Sequence, residues 1–130
     1  MASPPAAKPV VLIVEDETLL AFFAREVMEG AGYEVLVADN AGDAVIELER
    51  RLDIRVVLTD VQLPGSMDGL RLAEVVRSRW PPIALVITSG RIALAAAEMP
   101  AQSVFLSKPY AQKDLCRAVQ SACDCRLATH

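Results

Sequence analysis

Histidine is all but missing from this chain, and its single copy, His130, is the last of 130 residues. A terminal histidine reads as part of a frayed end, and a phosphodonor role for it is remote. Cysteine is scarce too: Cys116, Cys123 and Cys125 all fall in the last segment, with no C-x-x-C pair. That pattern excludes a disulfide framework and suits reduced thiols in a cytoplasmic protein. A redox or metal site at Cys123-Asp124-Cys125 is the weaker reading, because structural zinc usually takes four Cys or His ligands. No apolar run approaches the ~20 residues of a membrane span. The opening, Met1 to Pro9, is rich in Ala and Pro and lacks an apolar stretch, so 1–8 reads as a flexible leader, not a signal peptide. Basic blocks are absent and the formal net charge is −4, which argues against direct nucleic-acid binding.

What is present is apolar: 53% of the chain is hydrophobic, enough for one folded domain, expected over 9–124 with a tail at 125–130. Val56-Val57-Leu58-Thr59-Asp60 is an apolar run that ends in a carboxylate, the pattern of a strand buried on both faces. Val10–Val14 has the same character and ends at Glu15-Asp16-Glu17. Ile83–Thr88 ends in a hydroxyl followed by Ser89-Gly90, and Ser103–Ser107 is followed at once by Lys108-Pro109. Tyr33–Ala38 is less uniformly apolar, as an edge strand would be.

Helical patterns alternate with these strands. Thr18 is the expected cap of a helix from Leu19 to about Ala31, with Leu20, Phe23, Ala24, Val27 and Met28 on its core face. Leu19 and Phe22 fall off that face and are either a widening of the stripe or an exposed contact surface. Asn40, with Asp43 three residues on, opens a helix to about Arg51. Further helices are expected from Asp68 or Gly69 to about Trp80, over Arg91–Met99 and from about Ala111 to Ala122 or a little beyond. Five strands alternating with five helices make a doubly wound α/β fold, with a five-stranded parallel sheet most simply ordered 2-1-3-4-5.

That order brings the ends of the first and third strands together at the switch point, where such sheets bind ligands. Glu15, Asp16 and Asp60 would converge, and three carboxylates without compensation raise one another's pKa. A hard divalent cation relieves this, and an all-oxygen set points to Mg²⁺ on Asp16 and Asp60, with Glu15 acting through a bound water. Lys108 and Thr88 would then face the oxygens of a phosphoryl group carried by Asp60. Taken singly, each residue has a plain alternative: a first-turn helix charge, a loop cap, a strand threonine, a solvated lysine.

Val14-Glu15-Asp16-Glu17, Asp60 with Pro64 and Met67-Asp68-Gly69, Thr88-Ser89-Gly90 and Lys108-Pro109 stand in one order. In these the chain resembles the receiver domain of two-component response regulators, of the stand-alone type. The resemblance implies a flavodoxin-like (βα)5 fold in which Asp60 takes a phosphoryl group from a sensor histidine kinase or a histidine phosphotransfer protein. It implies Mg²⁺ ligation by Asp16, Asp60 and the backbone carbonyl of Gln62, and a cis-proline at Pro109. It further implies a switch in which Thr88 and Phe105 reshape the face of the fourth helix, fifth strand and fifth helix for a downstream protein or a dimer. Leu19 and Phe22 become candidates for kinase docking.

The chain departs from the family pattern in three places: an extra residue in the Pro64–Met67 loop, a shortened interval from Thr88 to Lys108, and Gly90 where a side chain is usual. Two rival readings are a receiver that binds partners without phosphorylation and a phosphatase of the haloacid-dehalogenase type. The phosphatase would want an Asp-x-Asp pair where the chain has Glu15-Asp16-Glu17.

Overall fold

Apolar runs without polar interruption have no solvent-facing side, so they can be satisfied only in the middle of a covered sheet. In the computed structural model, which describes residues 8–90 and 99–127, they lie there. The strands are β1 (Val10–Val14), β2 (Glu34–Ala38), β3 (Ile54–Asp60), β4 (Ala84–Ser89) and β5 (Ser103–Ser107). The helices are α1 (Thr18–Gly30), α2 (Ala41–Arg50), α3 (Gly69–Arg79) and α4 (Gln112–Leu127). All pairings are parallel and the strand order is β2-β1-β3-β4-β5, as the sequence predicts. The expected helix over Arg91–Met99 falls largely outside the described residues.

Alternation along each strand divides the core into two layers. Val10, Leu12, Val14, Val57, Leu85 and Ile87 pack with Ala44 and Leu48 of α2 and Leu72 and Val76 of α3. Val11, Ile13, Val56, Leu58 and Val86 pack with Val27 and Met28 of α1 and Leu115 and Val119 of α4. Each fully buried Leu, Ile or Val here contributes roughly 1.5–3 kcal/mol of apolar transfer, so both faces anchor the strand ends that carry polar groups.

The helix starts follow local hydrogen bonding. The Asn40 side chain accepts from the Asp43 N–H at 2.8 Å and donates back to its carboxylate at 2.9 Å. Asp68 caps α3 by accepting from the Arg71 N–H at 2.8 Å. Thr18 is not the cap of α1. Glu17 holds that position with extended backbone and no side-chain cap, and Thr18 is already helical. The Glu15 carboxylate accepts the Glu17 N–H at 3.2 Å, which sets the turn one residue earlier.

Other expectations shift by small amounts. Phe23 is not in the core but 36% exposed, packed on Tyr110, while Ala21 is buried in its place. The pairing of β3 with β1 shifts between Val10 and Val11, leaving Arg55 as a bulge, so the strand starts before the apolar run does. The α4 backbone stays helical through Leu127, five residues beyond Ala122. The Arg77 guanidinium donates to the carbonyls of Pro81, Ile83 and Ala101 at 2.9–3.0 Å, tying the entries of β4 and β5 to α3.

Candidate functional site

The carboxyl edge of the sheet collects the polar ends of β1, β3, β4 and the turn after β5. Glu15 follows β1 and its N–H donates to the Ala38 carbonyl at 3.0 Å, so its backbone extends the sheet by one bond. Asp60 is the last residue of β3 and pairs in register with Thr88 of β4. The next N–H, of Val61, donates to the Thr88 carbonyl at 2.9 Å, which fixes the Asp60 side chain beside the Thr88 hydroxyl strand end. Glu15, Asp60 and Thr88 are all buried, whereas Asp16 is exposed.

Lys108 crosses from the β5 turn into this cluster. Its N–H donates to the Ser89 carbonyl at 2.9 Å, and the peptide bond to Pro109 is cis. Its ammonium lies 2.9 Å from Glu15 Oε1 and 3.0 Å from Asp60 Oδ2. The lysine therefore sits between the two buried carboxylates. Burial pushes the Glu15 carboxyl above its ordinary value, and the bonds from Lys108 and the Glu17 N–H only partly offset that. Burial also works against the Lys108 charge, but its hydrogen bonds to Glu15 and Asp60 win and hold its pKa above the usual lysine value.

One carboxylate oxygen from each of Glu15, Asp16 and Asp60 lies within 4.8 Å of the others, among the described residues. Three carboxyl groups share this partly desolvated corner with one ammonium. An all-oxygen donor set of this kind fits Mg²⁺, with the exposed Asp16 leaving room for the waters that this ion retains. The arrangement presents a buried carboxyl group, an adjacent cation and a hydroxyl-bearing strand end in one place. That is what nucleophilic attack on a phosphoryl group requires.

A family model described as "Response regulator receiver domain" matches residues 11–120. The chain belongs to the response regulator receiver domain family. Among curated relatives, it is 31% identical over 119 residues, 88% of this chain, to an NtrX-like response regulator of Rickettsia bellii. It is 30% identical over 105 residues to the nitrogen assimilation regulatory protein NtrX of Azorhizobium caulinodans, covering 77% of this chain. The chain spans about a quarter of the length of these relatives, 24% and 23%. A crystal structure of a response regulator receiver protein from Sinorhizobium medicae superimposes with a TM-score of 0.85 at 28% identity, covering 92% of this chain and 97% of that one.

As a receiver domain, the chain is a module of the kind found in two-component response regulators. Among the described residues, no helix is long and apolar enough to cross a membrane. The remaining residues singled out by sequence occupy distinct places. Leu19 and Phe22 are 83% and 60% exposed on α1. Phe105 is half-buried beside Ile87, in a groove shared with Pro109, Asp114 and Arg117 of the β5–α4 side. Cys116 and Cys123 are half-buried thiols packed against the α1–α4 core layer.

Three features escape the sequence reading. The Gln62 N–H faces the site, donating to Asp60 Oδ1 at 3.3 Å. Gly69 opens α3 so close to β3 that a Cβ there would collide with the Asp60 carbonyl oxygen. Tyr110 shares a crevice with Glu15, Asp60 and Thr88. The Met67-Asp68-Gly69 motif held the signal for the second, and the residue after Lys108-Pro109 held it for the third.

Proposed function

We propose that Asp60 is the phosphoacceptor, taking a phosphoryl group from the phosphohistidine of a sensor kinase or a histidine phosphotransfer protein in an Mg²⁺-dependent reaction. An Asp60 carboxylate oxygen attacks phosphorus as the P–N bond breaks, and the electron pair leaves with the imidazole, which is then protonated. The product is an aspartyl phosphate. The observation that carries this reading is the position of Asp60: buried at a strand end, in register with Thr88, with the Lys108 ammonium 3.0 Å away. Lys108 supplies positive charge to the phosphoryl oxygens as negative charge spreads over them, and the Thr88 hydroxyl donates to another of them.

Asp16, Asp60 and the Gln62 carbonyl would hold the ion, with Glu15 orienting a water bound to it. Once bound there, the ion would supply charge neutralisation for the transfer. On phosphorylation, Thr88 is drawn toward the phosphoryl group and the Phe105 ring turns inward. The face around β5 and α4 then becomes the readout surface for a downstream protein or a second copy. The exposed Leu19 and Phe22 on α1 are the docking contacts for the donor.

The test is chemical. Protein incubated with Mg²⁺ and acetyl phosphate should gain one acid-stable, base-labile phosphoryl adduct by mass spectrometry, and Asp60→Asn should gain none. No adduct on the wild type, or an equal one on Asp60→Asn, would overturn the assignment. Polar replacement of Leu19 and Phe22 together should slow transfer from a phosphorylated donor protein while leaving labelling by acetyl phosphate intact.

A further inference from the structure

The crevice beside Asp60 has one wall that the chemistry above does not use. It is lined by Ile13, Val14, Glu15, Ala24, Leu58, Asp60, Thr88 and Tyr110, and it is too narrow to hold a water molecule. Tyr110 packs against the core layer that lines this crevice, with no solvent layer to absorb a displacement. The charges of Glu15, Lys108 and Asp60 all reach its hydroxyl, although burial is the larger reason that its pKa is raised. On its other side, the Tyr110 ring meets Phe23 of α1, with centroids 5.9 Å apart and planes at 46°. Tilted aromatic pairs at this separation interact by roughly 0.5–1.5 kcal/mol beyond their burial. Phe23 is itself 36% exposed and neighbours Phe22 on the solvent side of α1. A continuous path of two rings thus runs from the Asp60 crevice to the protein surface.

We infer that Tyr110 is a positioning residue for phosphoryl acceptance, coupling the Asp60 crevice to the α1 surface through Phe23. It rests on the reading of Asp60 as the phosphoacceptor. A phosphoryl group on Asp60 displaces the crevice wall and with it the Tyr110 ring, and the move is felt at Phe23. By linkage, a contact that covers or fixes Phe23 changes the affinity of the Asp60 site by the same factor. The ring carries the coupling and the hydroxyl does not, so Phe can replace Tyr110 but an aliphatic residue cannot.

The experiment uses the full chain with Mg²⁺ and beryllofluoride as the phosphoryl mimic, followed by NMR of the Gln62 amide and the Phe23 ring. Wild type should show shifts at both positions. Tyr110→Phe should keep both, whereas Tyr110→Leu should keep the Gln62 shift and lose the Phe23 shift. A Phe23 shift that persists in Tyr110→Leu overturns the inference, as does a wild type that responds at Gln62 but not at Phe23. A wild type that responds at neither overturns the reading of the Asp60 site itself, and the two failures are thereby distinct. Should Tyr110→Leu fail to fold, Tyr110→Met makes the same cut with a side chain of different shape. It should likewise keep the Gln62 shift and lose the Phe23 shift, and a Phe23 shift retained at unchanged size counts against the coupling.

Discussion

Replacing Gly69 by Ala sets two physical effects against each other, and the structure decides the sign. Gly69 is the first residue of α3, and by helix propensity alone Ala would help by up to ~1 kcal/mol. Its Cβ, however, would overlap the Asp60 carbonyl oxygen, and would lie 2.6 Å from the Asp60 carbonyl carbon and 2.9 Å from Val61 Cα. Carbon atoms in comfortable contact are about 3.5–4.0 Å apart, so roughly 1 Å or more of backbone movement is needed. None of these atoms is free to give. Asp60 is paired in β3, the Val61 N–H is bound to Thr88, and the Gly69 N–H donates to the Val61 carbonyl at 2.8 Å. Overpacking costs about 1–3 kcal/mol where side chains can yield, and the upper end applies where only backbone is available. Net destabilisation should be about 2–3 kcal/mol. Urea unfolding followed by circular dichroism would read this as a midpoint lowered by about 1–2 M, since m is about 1–3 kcal/mol/M for small proteins. Gly30→Ala is the control: nothing lies within 4 Å of its Cβ, so it should be neutral or slightly stabilising. A Gly69→Ala midpoint equal to or above the wild type would refute the close approach of α3 to the phosphoacceptor strand.

Other perturbations probe the charges. Mg²⁺ at 100 times its Kd should stabilise the wild type by about 2.7 kcal/mol, and Asp16→Asn should lose most of the accompanying rise in Tm; an equal rise in both would remove Asp16 from the metal set. Lys108→Met leaves Glu15 and Asp60 buried without their shared cation, and in metal-free buffer it should cost about 2–4 kcal/mol, much of it regained with Mg²⁺. A metal-free variant as stable as the wild type would show that the ion pairs are idle. Far from the site, the Arg51 guanidinium holds the exposed Asp53 carboxyl below its ordinary 3.8. Its contribution is present above that pH and is lost as pH falls through the lower folded-state value. Asp53→Asn should therefore be less stable than wild type at pH 7 in low salt and indistinguishable from it once Asp53 is protonated. A stability gap that ignores pH would point to lost packing instead.

The parts of the fold that were legible are those where a residue's place follows from the run that contains it. Val10–Val14, Val56–Asp60 and Ala84–Ser89 have no polar side, so they must be central, and topology then delivers Glu15, Asp60 and Thr88 to one edge. What helical spacing could not resolve was how much room each core position has. Phe23 fits the buried stripe of α1 by angle, but Ala21 and Ala24 fill the space next to the sheet, and the ring is displaced outward onto Tyr110. Arg55 hid the start of β3 because a bulge lets one charged residue leave an otherwise buried strand. Lys108 bonds to Glu15 across 93 positions of sequence, and its choice of partners depends on local charge balance, not on spacing. The loop after Asp60 shows both limits at once. Its ends are pinned, by the Gln62 N–H on Asp60 and the Gly69 N–H on Val61, so the extra residue must be absorbed between them. Gly65 turns the loop between those pinned ends with φ +98, in a region that side chains rarely adopt.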